Sequence, residues 1–441
     1  MSGVAIEDLL ELAELRKAKA KLGWLIDHPS VSAAAFLDTL LGPERRKTGW
    51  MRAEAVGDRG PWRQQAVLGR SHWDAEALRD VVRDYALETL AEGDAVLVID
   101  ETGFLKQGKA SCGVGRQYTG SAGKITNCQV GVFAAYVSTR GHALIDRQLY
   151  LPQAWTDNPE RRAAHVPEDV TFATKPQLAV TMIERAIDAG VPFSWVAADS
   201  VYGVGGVEMA LRRAGKGYVL GVASTTQVHS WDKPEPVSGT AEAIAAALPA
   251  SRWVRLPAGA GGPRLYDWAY LELADLDARA FFECRSATTM WTRGLLIRRG
   301  LSDGKMAFFS TWCPKGTPMA VLVEVEGRRW AIAFETAKTE LGLDHNETRS
   351  WHGWHRHVSL VMLAFALLMV IRHKAETLTP KKTTDPSAKS MVRWSLQEIR
   401  RIAGRLIQRR IEPAFVIAWS VWRRCHQATA QKSHFKRNPQ L

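Results

Sequence analysis

Two apolar runs in this chain, the second broken once by Ser194, each stop on an aspartate, and they constrain its fold more than any other feature. They are Ala95-Val-Leu-Val-Ile-Asp100 and Phe193-Ser-Trp-Val-Ala-Ala-Asp199. Runs of this kind are expected of strands covered on both faces, as in α/β proteins whose parallel strands lie under helices. A carboxylate at the end of such a strand leaves the core on an anchored backbone with its side chain free. The alternative for either residue alone is an acid that merely caps the following turn.

The spacing around these runs predicts an ordered series of elements. Residues 127–138 and 142–151 read as strands, 175–189 as an amphipathic helix, 204–214 as a helix and 217–223 as a strand. Three strands, helix, strand, helix, strand fits the RNase H-like layout. There a β-meander leads into parallel α/β units, and the first and fourth strands lie side by side. Their carboxyl ends share one rim of the sheet, the edge where open α/β folds hold ligands.

A length of 441 residues exceeds one ordinary core and predicts several domains. We read residues 1–93 as a helical N-terminal domain and 94–223 as the first part of an RNase H-like catalytic core. Residues 224–325 form a β-rich insertion, with strands near 253–256, 265–273, 294–299 and 305–311 between Gly, Pro and Asp turns. Residues 326–375 complete the core with helix, 376–390 are a linker, and 391–441 are a basic helical C-terminal region. The fold class is α/β, with helical flanks at both ends. The longest apolar run, 358–371, is too short to cross a bilayer and reads as a buried helix. No charged-then-apolar leader opens the chain, so a cytoplasmic, nucleoid-associated location is expected, with no membrane partner. Five cysteines at wide spacing without a CxxC agree with a reduced protein lacking a cysteine zinc site.

The net charge is +12. Residues 381–441 carry fourteen Lys and Arg against three Asp and Glu, nearly the whole excess. A basic block of this size favours a polyanion, with nucleic acid foremost; the bland reading is a solvated tail.

Context adds chemistry to the two aspartates. After Asp100-Glu-Thr-Gly come Lys106, Lys109 and the stretch Gly115-Arg116-Gln-Tyr-Thr-Gly-Ser-Ala-Gly-Lys124. Its glycine NH groups, with Arg116 and Lys124, are suited to a DNA backbone beside bound metal. An ordinary hairpin with surface charges is the alternative. It is no P-loop, because GxxxxGK[ST] is absent.

Six stretches together resemble the DDE transposases of bacterial insertion sequences. They are Val98-Ile-Asp-Glu-Thr-Gly-Phe104, Gly115-Arg-Gln-Tyr-Thr-Gly120, Asn127-Cys-Gln-Val130, Val196-Ala-Ala-Asp-Ser-Val-Tyr-Gly203, Gly342-Leu-Asp-His345 and Ser350-Trp-His-Gly-Trp-His-Arg-His357. The resemblance covers residues 98–357, and weaker likeness extends to both ends. It implies Mg²⁺- or Mn²⁺-dependent cleavage of double-stranded DNA at transposon ends, then attack of the freed 3′-hydroxyl on target DNA. It implies that Asp100 and Asp199 are the first two of three metal-binding acids, that a β-strand insertion precedes the third, and that paired protomers act on two ends. A homodimer is therefore expected in the active complex. Arg116, Lys124, Arg329 and Lys338 are the residues expected to position the DNA backbone.

The third acid is where the chain departs from that family. Its members carry Ile-Glu-Glu-x-Phe between Arg-Trp and Ala-Lys, with the catalytic glutamate seven residues before the lysine. Here Gly327-Arg-Arg-Trp-Ala-Ile332 runs directly into Ala333-Phe-Glu-Thr-Ala-Lys338, and Ala331 stands seven before Lys338. A loss of two residues removes the glutamate pair and turns the preceding helix by ~200°. Glu335, one turn before Lys338, is the candidate third catalytic and metal-binding acid, with Glu340 and Glu324 behind it. A catalytically impaired or domesticated DNA-binding relic is thus the alternative to an active transposase, and a nuclease that cuts without joining is a third reading. His352, His355 and His357 invite a zinc site, but no cysteine or nearby carboxylate completes one. A helix face that touches backbone or packs on the catalytic domain is the reading adopted.

Overall fold

The computed structural model describes residues 13–25, 30–158, 164–230, 237–258, 264–273, 291–331, 334–378, 393–408 and 411–437. The start of the expected helical N-terminal domain, most of the expected linker and the 332–333 junction lie outside them. The chain divides into two compact units. One comprises residues 79–334 with 349–351, the other residues 1–78, 335–348 and 352–441.

The first unit is built on a ten-stranded sheet. Its strands are β1 (Val96–Leu105), β2 (Gly115–Thr119), β3 (Lys124–Ser138), β4 (Gly141–Tyr150), β5 (Trp195–Ala198) and β6 (Gly217–Val222). A separate hairpin, β7 (Gln227–Ser230) and β8 (Val237–Thr240), follows. The large sheet resumes with β9 (Val254–Ala258), β10 (Arg264–Leu273), β11 (Trp291–Gly300) and β12 (Met306–Pro314). The order is β2-β3-β1-β5-β6-β12-β11-β10-β9, with β4 also paired to β3. β1, β5 and β6 are mutually parallel. This mixed α/β sheet is the RNase H-like arrangement that the element order predicts.

Two details differ from the sequence reading. β1 does not end at Asp100 but runs on through Glu101-Thr-Gly-Phe to Leu105. The reason is β3, fifteen residues long, which pairs with β1 along its whole length, from Val96↔Val137 to Leu105↔Cys128. On the other side, the parallel partner β5 stops at Ile99↔Ala198. Asp100 therefore stands mid-strand, at the point where one neighbour falls away. The β-rich stretch also extends the sheet itself, because β12 pairs antiparallel with β6 from Phe308↔Val222 to Trp312↔Tyr218.

Helices α1 (Lys175–Asp188), α2 (Gly205–Arg213) and α3 (Met319–Arg328) cover the sheet. α1 opens with a capping box in which Thr174 and Gln177 satisfy each other's backbone NH groups. Val96, Val98, Ala197, Val219, Leu296 and Phe309 share one buried cluster with Leu322, Val323 and Val325 of α3. Because side chains alternate along a strand, Asp100 and Asp199 continue the Val96-Val98 and Ala197 rows on this same face.

The second unit is helical. Ser30–Leu41, Gly49–Val56 and Trp62–Gly69 pack with α4 (Phe334–Leu341), α5 (Trp351–Leu378), α6 (Leu396–Ile407) and α7 (Pro413–Arg437). Phe334 and Trp351 themselves belong to the first unit. α5 is twice the length of the apolar run read from the sequence, long enough and apolar enough to cross a membrane. Its residues from Val358 to Val370 are nevertheless almost fully buried within the protein, as in the core helix of a helical domain. The zinc reading fails at its first turns. His352 Nε2 lies 3.1 Å from the Gly69 carbonyl and His357 Nε2 lies 3.0 Å from that of Gly342. Arg356 donates to the carbonyls of Leu68 and Trp73. These side chains satisfy backbone and hold helices together, in keeping with the packing alternative.

Candidate active site

The site forms where β1 loses β5 as a neighbour. Asp199 directly follows β5 and begins a tight turn. Its Oδ1 accepts from the Val201 amide at 2.9 Å, and its carbonyl accepts from the Tyr202 amide at 3.1 Å. Two glycines let this turn seat against β6. A Cβ on Gly203 would lie 1.8 Å from the Gly221 carbonyl oxygen, and one on Gly221 would lie 2.8 Å from Ser200 N. Backbone meets backbone here, so neither position has a flexible side chain to yield. Gly203→Ala is accordingly expected to destabilise the protein by roughly 1–3 kcal/mol and to displace the Asp199 turn. The denaturation midpoint and divalent-metal affinity should fall together, and an unchanged midpoint would show that the contact is dispensable.

Asp100 is half-buried. Its Oδ1 accepts from the adjacent Glu101 amide at 2.8 Å. Burial pushes its carboxyl up to about 6, against the help of that amide; the nearby Asp199 adds to the rise, Arg329 opposes it and Glu101 adds a little more. The two aspartates thus sense each other across neighbouring strands. A carboxylate held near another negative charge with too little solvent is short of positive charge, which is the donor set a divalent cation suits. Among the described residues, however, no group of three or more His, Cys, Asp or Glu is arranged to hold a metal.

Glu101, on the opposite face of β1, is already engaged. It pairs with Lys175 at the start of α1 and accepts from the Tyr202 hydroxyl at 2.9 Å. Tyr202 is fully buried. Its phenol is held protonated, by burial first and then by Glu101, Asp199 and Asp100. Sequence reasoning missed this group. The three residues are 74 and 101 positions apart in pairs, and only the sheet brings them together.

The expected DNA-positioning residues fall in different places. Arg329, just past α3, is the cation that acts on Asp100. It also lies 3.9 Å from Glu326, a carboxylate buried against Arg298 at 2.9 Å. Arg116 pairs across the ladder with Asn127, and Asp100 pairs with Phe133. That register places the exposed Arg116 on the same sheet face as Asp100. Lys124 pairs with Thr119 and so falls on the other face. Phe334 sits edge-on to Phe133, with ring centroids 5.2 Å apart, which brings the chain after α3 back to the Asp100 face. Lys338 and the exposed Glu335 belong to the helical unit. Burial, the leading influence, lowers the Lys338 ammonium, while Asp344 and Glu335 support it.

Comparison with known proteins agrees with this geometry. A model of the family described as "DDE superfamily endonuclease" matches residues 28–244, a span that contains both aspartates and ends before Glu335. The probable transposase for insertion sequence element IS701 from Microchaete diplosiphon is 32% identical over 164 residues, which is 37% of this chain and 40% of that protein. The chain therefore matches about two fifths of that relative's length. With its paired aspartates inside the matched span and on adjoining parallel strands, the region 28–244 of this chain is similar to the endonucleases of the DDE superfamily.

Proposed function

We propose that this chain is an insertion-sequence transposase that cleaves double-stranded DNA at transposon ends and joins the freed 3′-hydroxyl to target DNA. The observation that carries this reading is the approach of Asp100 and Asp199 on one face of parallel strands, with the Asp100 carboxyl raised by burial and by its neighbour. Asp100 and Asp199 would hold Mg²⁺ or Mn²⁺. Bound there, such an ion supplies activation of a water nucleophile and stabilisation of the leaving oxygen. The protein's own residues do the rest. Arg329 balances charge beside Asp100, Tyr202 and Lys175 hold Glu101, and Arg116 on the Asp100 face takes the DNA backbone. Lys124 and Lys338 contribute positive charge along the DNA path. The active species is a homodimer working in the cytoplasm on nucleoid DNA.

One observation favours the second reading, an impaired relic that binds ends and cuts poorly. No third acid joins the two aspartates among the described residues, and the carboxylate of Glu101 is taken up by Lys175 and Tyr202. The test measures Mn²⁺ binding and nicking of an end-bearing duplex for the native chain and for Asp100→Ala. Loss of Mn²⁺ binding by at least about tenfold in the variant is expected, because removing one of two ligands leaves little to fix the ion. Equal Mn²⁺ affinity in both proteins would remove the two aspartates from the metal site.

A further inference from the structure

We infer that α7 is a DNA-backbone grip, with its outward stripe laid along the phosphates of a duplex. This rests on the reading of the chain as a DNA-acting protein and locates a binding surface that the paired aspartates do not provide.

The helix has two opposite sides with different fates. Trp419, Trp422, Arg423 and His426 recur at three- and four-residue spacing and define the inner side. Trp419 is 4% exposed and its indole donates to the Asp58 carbonyl at 2.7 Å. Trp422 lies 5.6 Å from both Trp50 and Trp62, and His426 lies 5.0 Å from Trp50, measured between ring centroids. Arg423 reaches Glu54 at 3.2 Å. α7 is therefore a docked element rather than a loose tail, and its orientation in the helical unit is fixed.

Residues 417, 421, 424, 428, 432 and 435 follow the same helical spacing on the other side. Ile417 is 66% exposed and Val421 55%. Arg424, Lys432 and Lys436 are exposed beyond them. From Pro413 to Arg437 the sequence has five Lys and Arg and no Asp or Glu. That absence decides between occupants. A second copy of α7 would bring like charges together with no acid to pair them, which is unfavourable. A duplex offers a phosphate row that matches basic residues spread over about 18 Å of helix axis, with sugar edges between phosphates for Ile417 and Val421.

The test uses the full-length protein and a fluorescein-labelled random-sequence duplex of about 30 base pairs. Arg424→Glu, Lys432→Glu and Lys436→Glu are combined, all on the exposed side and none within the tryptophan cluster. Affinity is measured against salt concentration, and thermal unfolding confirms that the variant keeps its fold. We expect at least about tenfold weaker binding and a log–log salt slope shallower by about two to three, since each neutralised phosphate contributes about 0.9. A folded variant with unchanged affinity and slope overturns the α7 interface and leaves the DNA reading intact. Failure of the native chain to bind the duplex at all overturns the DNA reading, and this inference with it. A native dimer that becomes monomeric in the variant during sedimentation, with no change in salt slope, assigns the stripe to a second copy and also overturns it. Neutral replacements at the same three positions should give the same change in slope with a smaller loss of affinity, separating lost contacts from introduced repulsion.

Discussion

Insertion of Glu-Glu between Ile332 and Ala333 is expected to raise Mg²⁺-dependent nicking of an end-bearing duplex by orders of magnitude over the native chain. The argument begins with spacing. The family that this chain resembles keeps its catalytic glutamate seven residues before the lysine of Ala-Lys, and Ala331 stands there before Lys338. The insertion restores a glutamate at that distance. Structure adds the second step: Asp100 and Asp199 adjoin on parallel strands, but no third acid completes a metal group among the described residues. Two carboxylates can hold an ion without fixing it for in-line displacement, and phosphoryl transfer depends on that fixation. Native and inserted chains should therefore bind the duplex alike and differ in cutting. If the native chain already cuts well and Glu335→Gln abolishes the activity, Glu335 is the third ligand and the insertion will do nothing useful.

What the sequence made legible follows from which forces act locally. Val96 to Ile99 and Val196 to Ala198 are strands because nothing polar interrupts them, and the acid after each run marks where burial ends. The strand-helix alternation that follows gave the parallel order of β1, β5 and β6. What stayed hidden depends on partners far along the chain. Glu101-Thr-Gly-Phe reads as a polar turn, yet it is strand because the long β3 pairs with it. A period of two identified β10, β11 and β12 as strands but cannot say which sheet a strand joins, so their continuity with β6 was not visible. The faces of Arg116 and Lys124 depend on the β2–β3 register, and one step of register exchanges them. The shared role of Gly203 and Gly221, letting the Asp199 turn lie on β6 backbone to backbone, appears only in three dimensions.

Asp100→Asn should make the metal-free protein more stable at pH 8, by as much as about 3 kcal/mol, while removing its metal affinity. The carboxyl of Asp100 is raised from 3.8 to about 6, with burial the leading cause. A folded-state value above the unfolded one means that the native state holds its proton more tightly. The associated stability is fully present below about pH 4 and is lost as pH rises through 6. At pH 8 the native chain must carry a charge that its surroundings disfavour, and a difference of this size corresponds to about 3 kcal/mol. Asparagine keeps the shape and an oxygen to accept the Glu101 amide, but never ionises. Its advantage should therefore grow between about pH 4 and pH 6, level off above that and fade below pH 4. Urea unfolding with chelator present, at pH 4 and pH 8, measures this directly. Adding Mn²⁺ at pH 8 should then reverse the order, because only the native carboxylate gains from the cation and binding stabilises the folded state in proportion to its occupancy. A variant no more stable than the native chain at pH 8 would show that Asp100 is well solvated as an anion, and a half-buried carboxylate awaiting a cation would no longer describe this site.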